Sequence, residues 1–355
     1  MIVTSNIQIQ KTTRSRVPEV DFSKLEFGKL PTDHMFIAEY RTDEWQDARI
    51  VPFSNLSLSP FALGLHYGQT IFEGMKAFRM ADGSISIFRP EKNHERFNIS
   101  ARRMCMAEVP KDLFMDALHQ FVAIEHEWVP KTEGSSLYLR PFMFASEPRL
   151  GVKPSDEYYF MIVASPVGPY YSQPVKVKVE TEYARAAEGG TGYAKCGGNY
   201  GGSLYPAMLA NKAGFDQVLW TDAKTHSFIE ESGTMNVMFR FGDVVVTPSL
   251  SSSILDGVTR DSILTLAEDM GYGVEEREVP VAELEQRLRD GSCKEAFGAG
   301  TAALVAPIEY INIHGESYRL NIQPDALMYQ IKKRLTDIRM GNTEDIYGWN
   351  YIVKP

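Results

Sequence analysis

The run Ser165-Pro166-Val167-Gly168-Pro169-Tyr170-Tyr171-Ser172-Gln173-Pro174 holds three prolines and a glycine in ten residues. Proline fixes φ and lacks the donor N–H, so neither a helix interior nor a central strand accepts such a run. The chain of 355 residues is therefore expected to divide there, with enough length on each side for a core of its own. We expect a small N-terminal domain over 1–165, a linker over 166–174 and a larger C-terminal domain over 175–355 that carries Lys195. Strand and helix patterns mix on both sides, which points to an α+β class of two mixed α/β domains.

In the first half, Arg89-Pro90 opens a helix, with proline in the first turn. Phe97, Ala101 and Met104 share one of its faces; Arg96, Ser100 and Arg103 share another. A second helix is predicted over Leu113–Trp128, then strands over Ser136–Phe144 and Glu157–Ala164. Past the proline run, Val175–Glu180 and Gln217–Thr221 read as strands, and Leu204–Ala213 as a helix stopped by Gly214. Ser227–Glu230, Asn236–Phe241 and Val244–Thr247 read as a meander turning at Gly242-Asp243. Ile263, Leu266, Ala267 and Met270 mark a helix ending at Gly271, and Asp325–Met340 is a final helix with Leu327, Ile331, Leu335 and Ile338 at core spacing.

A net charge of −9 argues against nucleic-acid binding, which relies on basic surfaces. The longest apolar run, Tyr158–Ala164, falls far short of the roughly 20 residues of a membrane span. Cys105, Cys196 and Cys293 are widely spaced, with neither a Cys-x-x-Cys pair nor a disulfide framework, so a cytoplasmic location is the default. Residues 1–18 are basic but lack the apolar helical face of a transit peptide. His34 and His66 have no second ligand at zinc spacing and read as packed or hydrogen-bonding histidines, with no metal expected.

Chemistry enters at Gly189-Gly190-Thr191-Gly192-Tyr193-Ala194-Lys195-Cys196-Gly197-Gly198-Asn199-Tyr200-Gly201-Gly202, a single lysine among glycines. Glycines let backbone approach a ligand closely, and a desolvated lysine amine becomes a nucleophile suited to a Schiff base. The order around Lys195 does not match a phosphate-binding P-loop. Glu230-Glu231 precede a Ser-Gly-Thr turn. Ser253-Ile254-Leu255-Asp256-Gly257-Val258-Thr259-Arg260 runs into a helix whose N-terminus suits an anion. Gly298-Ala299-Gly300-Thr301-Ala302-Ala303 resembles a dinucleotide fingerprint, but Leu304–Ile311 follows as a strand broken by Pro307, so a small anion turn fits better. Amine, carboxylate and anion turns together suit a pyridoxal phosphate enzyme.

Leu65-His66-Tyr67-Gly68-Gln69-Thr70-Ile71-Phe72-Glu73-Gly74-Met75-Lys76-Ala77-Phe78-Arg79, Ala194–Tyr200 and Glu231-Ser232-Gly233-Thr234-Met235-Asn236 occur in this order. The chain thereby resembles, over nearly its whole length, the fold type IV pyridoxal phosphate enzymes, and within them the branched-chain amino acid aminotransferases. The resemblance implies the D-amino acid aminotransferase-like architecture, with pyridoxal 5'-phosphate at the domain interface and the C-terminal domain as the cofactor-binding one. By that likeness Lys195 is the Schiff-base lysine and catalytic residue, Tyr200 partners the ring oxygen, and Glu231, rather than Glu230, partners the pyridine nitrogen. Arg96, Val258, Thr259 and Thr301 match phosphate contacts, and Leu255 and Thr234 fall in the same cofactor-binding set. Phe27, Tyr67, Phe72, Tyr138, Arg140, Tyr170, Thr301 and Ala302 match the substrate pocket.

The implied reaction is reversible amino transfer between L-leucine, L-isoleucine or L-valine and 2-oxoglutarate, with Arg140 as donor to the distal carboxylate of glutamate. A homodimer is implied in the same way. Fold-level likeness alone leaves D-amino acid aminotransferases and aminodeoxychorismate lyases open, as well as a non-catalytic binder of phosphorylated metabolites. Two positions depart from the family pattern. Ala303 and Ala306 stand where mammalian members carry a redox Cys-x-x-Cys, so thiol regulation of that kind is not expected. Met238 stands where an aromatic is usual.

Overall fold

Alternation of side chains across Ser136–Ala145 and Tyr158–Val167 gives each strand two usable faces, and these two pair antiparallel along their full length at the centre of a large sheet. The computed structural model describes residues 7–168 and 173–355. The chain groups into two units: Met1–Tyr170 with Ala194–Gly197 and Asp337–Pro355, and Tyr171–Tyr193 with Gly198–Thr336.

The first unit contains β1 (Gln8–Ile9), β2 (His34–Arg41), β3 (Glu44–Pro52), β4 (Thr70–Phe72), β5 (Met75–Arg79), β6 (Ile85–Phe88), β7 (Ser136–Ala145), β8 (Tyr158–Val167) and the C-terminal strand Asn350–Val353. They pair in the order β1-β3-β2-β8-β7-β5-β6 followed by the C-terminal strand, with β4 against β7. Three helices, α1 (Leu63–Tyr67), α2 (Pro90–Arg103) and α3 (Lys111–Ile124), belong to it. α2 buries Phe97 and Ala101 of its apolar face and also Arg96 and Ser100 of the other face; Phe97 packs on Phe114 of α3 and Phe160 of β8, at centroid distances of 5.8 and 5.5 Å. The second helix stops short of the expected Trp128; a 3-10 turn over His126–Trp128 follows, and the Trp128 indole donates to Asp33 Oδ2 at 3.0 Å. His34 is buried against Glu125, and His66 bonds the Pro60 carbonyl at 2.8 Å.

The expected domain limits change in three places. β8 continues through Ser165, Pro166 and Val167, so the expected linker begins inside a strand. Pro166 is accommodated because β8 pairs β2 only as far as Ile162; beyond Ala164, whose carbonyl accepts from Thr32 N at 3.0 Å, its ladder runs to β7 alone. The C-terminal residues join the first unit because Asn350–Val353 pairs β6. Residues 194–197 join it as well, through an antiparallel bridge from Ile71 to Cys196. Lys195 thus groups with the N-terminal unit.

The second unit contains β9 (Val175–Val179), β10 (Gln217–Thr221), β11 (Phe228–Ser232), β12 (Met235–Phe241), β13 (Val244–Thr247), β14 (Gly273–Glu276), β15 (Val279–Pro280), β16 (Cys293–Gly300), β17 (Leu304–Ile313) and β18 (Glu316–Arg319). The pairings β12-β16-β17-β9-β10-β11 return to β12, which closes a barrel and removes the open edges of those strands. Helices α4 (Gly197–Lys212), α5 (Val258–Asp269), α6 (Val281–Arg289) and α7 (Leu327–Met340) complete the elements. Pro307 does not break β17: it sits where the ladder passes from β16 to β9, and the Gly-x-Gly-x-x-Ala stretch is the turn of the β16–β17 hairpin.

The largest departure is α4. Its helix begins at Gly197, well before the expected Leu204, and takes in Gly198, Gly201 and Gly202. Glycine costs about 1 kcal/mol per helical position relative to alanine, which is why the stretch reads as loop. Close packing accounts for glycine at the first position, where an added Cβ at Gly197 would lie 2.7 Å from Thr70 Cγ2; Gly198, Gly201 and Gly202 are exposed and face open space.

Candidate active site

The residues assigned by likeness fall into one group in each unit. In the first, Lys195 is held through both of its backbone groups. Its carbonyl accepts from Phe72 N at 3.0 Å, and its N–H donates to Ser100 Oγ at 2.8 Å. Ser100 is fully buried and donates in turn to the Arg96 carbonyl, one helical turn earlier, at 3.0 Å. Cys196 fills the apolar core beside Ile71.

The Lys195 amine lies 4.9 Å from the centroid of the Phe72 ring. The Arg140 guanidinium lies 4.5 Å from the same centroid and 5.2 Å from that of Tyr138, and donates to the Tyr138 hydroxyl at 2.9 Å. Phe27 meets Tyr138 edge-on at 4.9 Å. Amine, guanidinium and aromatic wall are therefore assembled on one ring. Arg140 Nε is buried and has no hydrogen-bond partner among the described residues.

Behind this wall, Glu73 is fully buried and holds Arg96 side-on, Nε to Oε1 at 2.7 Å and Nη2 to Oε2 at 2.8 Å. Burial pushes the Glu73 carboxyl up, but Arg96, the Lys195 charge and Asn93 outweigh it and hold the group below the usual carboxylate range. Tyr67 is not brought to this cluster: it lies exposed on α1 with its hydroxyl on the Leu150 carbonyl. Tyr170 lies outside the described residues.

In the second unit, the β11–β12 hairpin sets Glu231 directly opposite Asn236, so the two side chains share a face. Gly233, at φ 57°, makes the turn where Gln217 leaves no room for a Cβ. Asn236 Nδ2 donates to Glu231 Oε1 at 3.1 Å and to the Leu255 carbonyl at 2.8 Å, and Leu255 N donates to Glu231 Oε1 at 3.1 Å. Arg185 Nε lies 2.7 Å from Glu231 Oε2; the pair is one of opposite charges in contact, without the angle of a good hydrogen bond.

Glu230, next along the strand, bonds Ser253 Oγ instead and borders a separate cleft of about 780 Å³. Burial pushes its carboxyl up against the opposing effects of Ser253 and Arg185, so of the two acids Glu231 is the one with a matched counter-charge. Val258 and buried Thr259 open α5 behind the N-cap Gly257, whose missing Cβ makes room for Asn236. Thr301 and Ala302 lie half-buried in the β16–β17 turn, Tyr200 half-buried on α4, and Thr234 exposed in the β11–β12 turn. Ala303 and Ala306 pack with Met235 in a small apolar cluster.

Three contributors carry no role in the sequence reading. Glu73 stands inside the quoted motif, Ser100 shares the helix face of Arg96, and Arg185 has no local signal.

The first unit thus holds a lysine fixed at both backbone groups, and the second a carboxylate with its own arginine and a helix that opens at glycine. A model of the amino-transferase class IV family matches residues 70–311. Branched-chain-amino-acid aminotransferase 2 of Bacillus subtilis is 43% identical over 95% of this chain and 94% of its own length. The branched-chain-amino-acid aminotransferase of Mycolicibacterium smegmatis is 46% identical over 91% and 90%. Among solved structures, the PLP form of the branched-chain amino acid aminotransferase from Thermobaculum terrenum shares the fold. It is 22% identical, covers 90% of this chain and 98% of its own, and superposes with a TM-score of 0.74. The chain belongs to the class IV aminotransferases, among the branched-chain-amino-acid aminotransferases of that class.

Proposed function

We propose that the protein transfers the amino group of L-leucine, L-isoleucine or L-valine reversibly to 2-oxoglutarate, with pyridoxal 5'-phosphate as cofactor. The observation that carries this reading is the Phe72 ring with the Lys195 amine and the Arg140 guanidinium both set on it. The residues fit the cofactor: an amine, a buried carboxylate and a glycine-opened helix N-terminus match its aldehyde, ring nitrogen and phosphate. Lys195 Nζ attaches it, with Tyr200 and Thr234 beside it. Glu231 holds the proton of the ring nitrogen, while Arg185 and Asn236 keep that carboxylate in place. Arg96, Val258, Thr259 and Thr301 would hold the phosphate, and Leu255, whose N–H bonds Glu231, belongs to the cofactor-binding set.

When bound, the cofactor carries the amino group and spreads the negative charge left at the substrate Cα. Lys195 Nζ takes the Cα proton and returns it, acting as base and then acid. Phe27, Phe72 and Tyr138 offer an apolar wall to a branched side chain, whose burial contributes roughly 1.5–3 kcal/mol. Arg140 receives the distal carboxylate when glutamate or 2-oxoglutarate enters, and Thr301 and Ala302 meet the substrate from their turn.

The active form is a homodimer. Phe61, Leu65, Tyr67, Leu150 and Val152 are exposed apolar residues of the first unit, and Leu204, Tyr205 and Met208 form an exposed face of α4. Large apolar patches of this kind favour a protein partner, and Tyr67 is expected to serve a pocket across that contact. Tyr170 is assigned to the substrate pocket by likeness alone. The cysteines are free and no helix among the described residues is long and apolar enough to cross a membrane, in keeping with work in the cytoplasm.

A spectrum of the purified protein tests the reading. It should show a visible band that borohydride reduces and L-leucine bleaches, and Lys195→Ala should abolish transamination. Turnover of D-alanine in preference to L-leucine would assign a different enzyme of the class.

A further inference from the structure

The tripeptide Phe72-Glu73-Gly74 is a junction in the first unit. Phe72 N bonds the Lys195 carbonyl, and the Phe72 ring carries the Lys195 amine and Arg140. A side chain at Gly74 would collide with the Tyr138 hydroxyl. Between them Glu73 has no exposed surface, and its carboxylate accepts from Arg96 Nε on Oε1, and from Arg96 Nη2, Asn93 Nδ2 at 2.7 Å and Gly74 N at 3.2 Å on Oε2. Its own N–H donates to the Pro141 carbonyl at 2.7 Å.

A buried ion pair contributes little net stability over apolar residues of the same volume, so stability alone is a poor reason for a fully buried glutamate. Its geometry offers a better one. A carboxylate that takes both Nε and Nη2 fixes the plane and direction of a guanidinium, which is otherwise a long and freely turning group.

We propose that Glu73 is a positioning residue that sets the Arg96 guanidinium for the phosphate ester of the cofactor, while the neighbouring Phe72 sets the Lys195 amine. This rests on the reading given under Proposed function. Glutamine at 73 presents one acceptor and one donor to the two Arg96 donors, and the donor-to-donor clash turns the guanidinium away. The cost falls on the phosphate and spares the ring.

The test uses the full chain freed of cofactor, titrated by absorbance with pyridoxal 5'-phosphate and, separately, with pyridoxal, which lacks the phosphate. Glu73→Gln should weaken pyridoxal 5'-phosphate by about 10- to 100-fold, the scale of one or two lost charge-assisted hydrogen bonds, and change pyridoxal by less than about 3-fold. Should Glu73→Gln fail to fold, Glu73→Asp, which keeps the charge on a shorter arm, should show the same selectivity at about 3- to 10-fold. Equal weakening of both compounds, or unchanged or tighter binding of the phosphate ester, overturns the proposal. If wild-type protein takes up neither compound at Lys195, the functional reading fails; if it takes up both and the ratio does not move on substitution, only the Glu73 inference fails.

Discussion

Arg140→Met separates the two substrates that must share one pocket. Arg140 is the cation on the Phe72 and Tyr138 rings, and its Nε has no hydrogen-bond partner among the described residues. A carboxylate brought to it gains a charge-assisted hydrogen bond of about 1.5–3 kcal/mol, equivalent to roughly 10- to 150-fold in rate or affinity. Methionine keeps an unbranched apolar arm over both rings, so the wall facing a leucine side chain stays largely intact. The substitution forfeits two cation–π contacts worth about 0.5–1 kcal/mol each and the bond to the Tyr138 hydroxyl, and it removes a buried unpaired donor. The net stability change should stay within about 1 kcal/mol. Single-turnover half-reactions followed by absorbance should show kcat/KM for 2-oxoglutarate falling about 10- to 150-fold while that for L-leucine, and for the apolar acceptor 4-methyl-2-oxopentanoate, falls less than about 3-fold. Equal losses for the acidic and apolar acceptors would refute the assignment and make Arg140 a structural member of the wall.

Other residues yield further outcomes. Ser100→Ala removes the Ser100 acceptor of the half-buried Lys195 N–H, so it should cost about 1–2 kcal/mol in urea unfolding and lower kcat more than KM through misplacement of the amine. Asp222 titrates at about 2, because the backbone N–H groups of Phe228, Thr225 and Ser227 and the Thr225 hydroxyl outweigh the burial that would raise it. Its folded value lies below the unfolded one, so its stabilisation is complete above about pH 4 and lost as pH falls through about 2. Asp222→Asn should therefore cost about 1–2 kcal/mol at neutral pH, after allowance for screening by solvent, and the difference should vanish as the medium approaches about pH 2; a pH-independent difference would contradict this.

What the sequence makes legible is what repeats locally. Gln217–Thr221 and Val244–Thr247 are strands at the residues expected, since their alternation and flanking turns are short-range properties. α2 buries Phe97 and Ala101 of the face foreseen for it. Lys195, Phe72, Tyr138 and Arg140, which likeness selects, come together on one ring. The glycines after Lys195 read as loop because glycine has low helix propensity, yet α4 runs through them; propensity is a weak prior. The N-terminal grouping of Lys195 is hidden for a related reason: it depends on a single bridge to Ile71 and a bond to Ser100, residues remote in sequence.

Glu73, Ser100 and Arg185 share one property, which is that each acts on a functional group through another residue. A serine on a helix face or a glutamate beside a glycine has no distinctive chemistry until long-range pairing buries it against a particular partner. Lys195 is one amine among many in the chain; what sets it apart is the Ser100 and Phe72 bonds that fix its backbone and the ring beside its amine. The Arg96 guanidinium likewise meets Glu73 side-on through two of its nitrogens. The supporting residues therefore decide which of many similar side chains can do chemistry, and substitutions there should separate cofactor affinity from turnover in ways that removing Lys195 itself cannot.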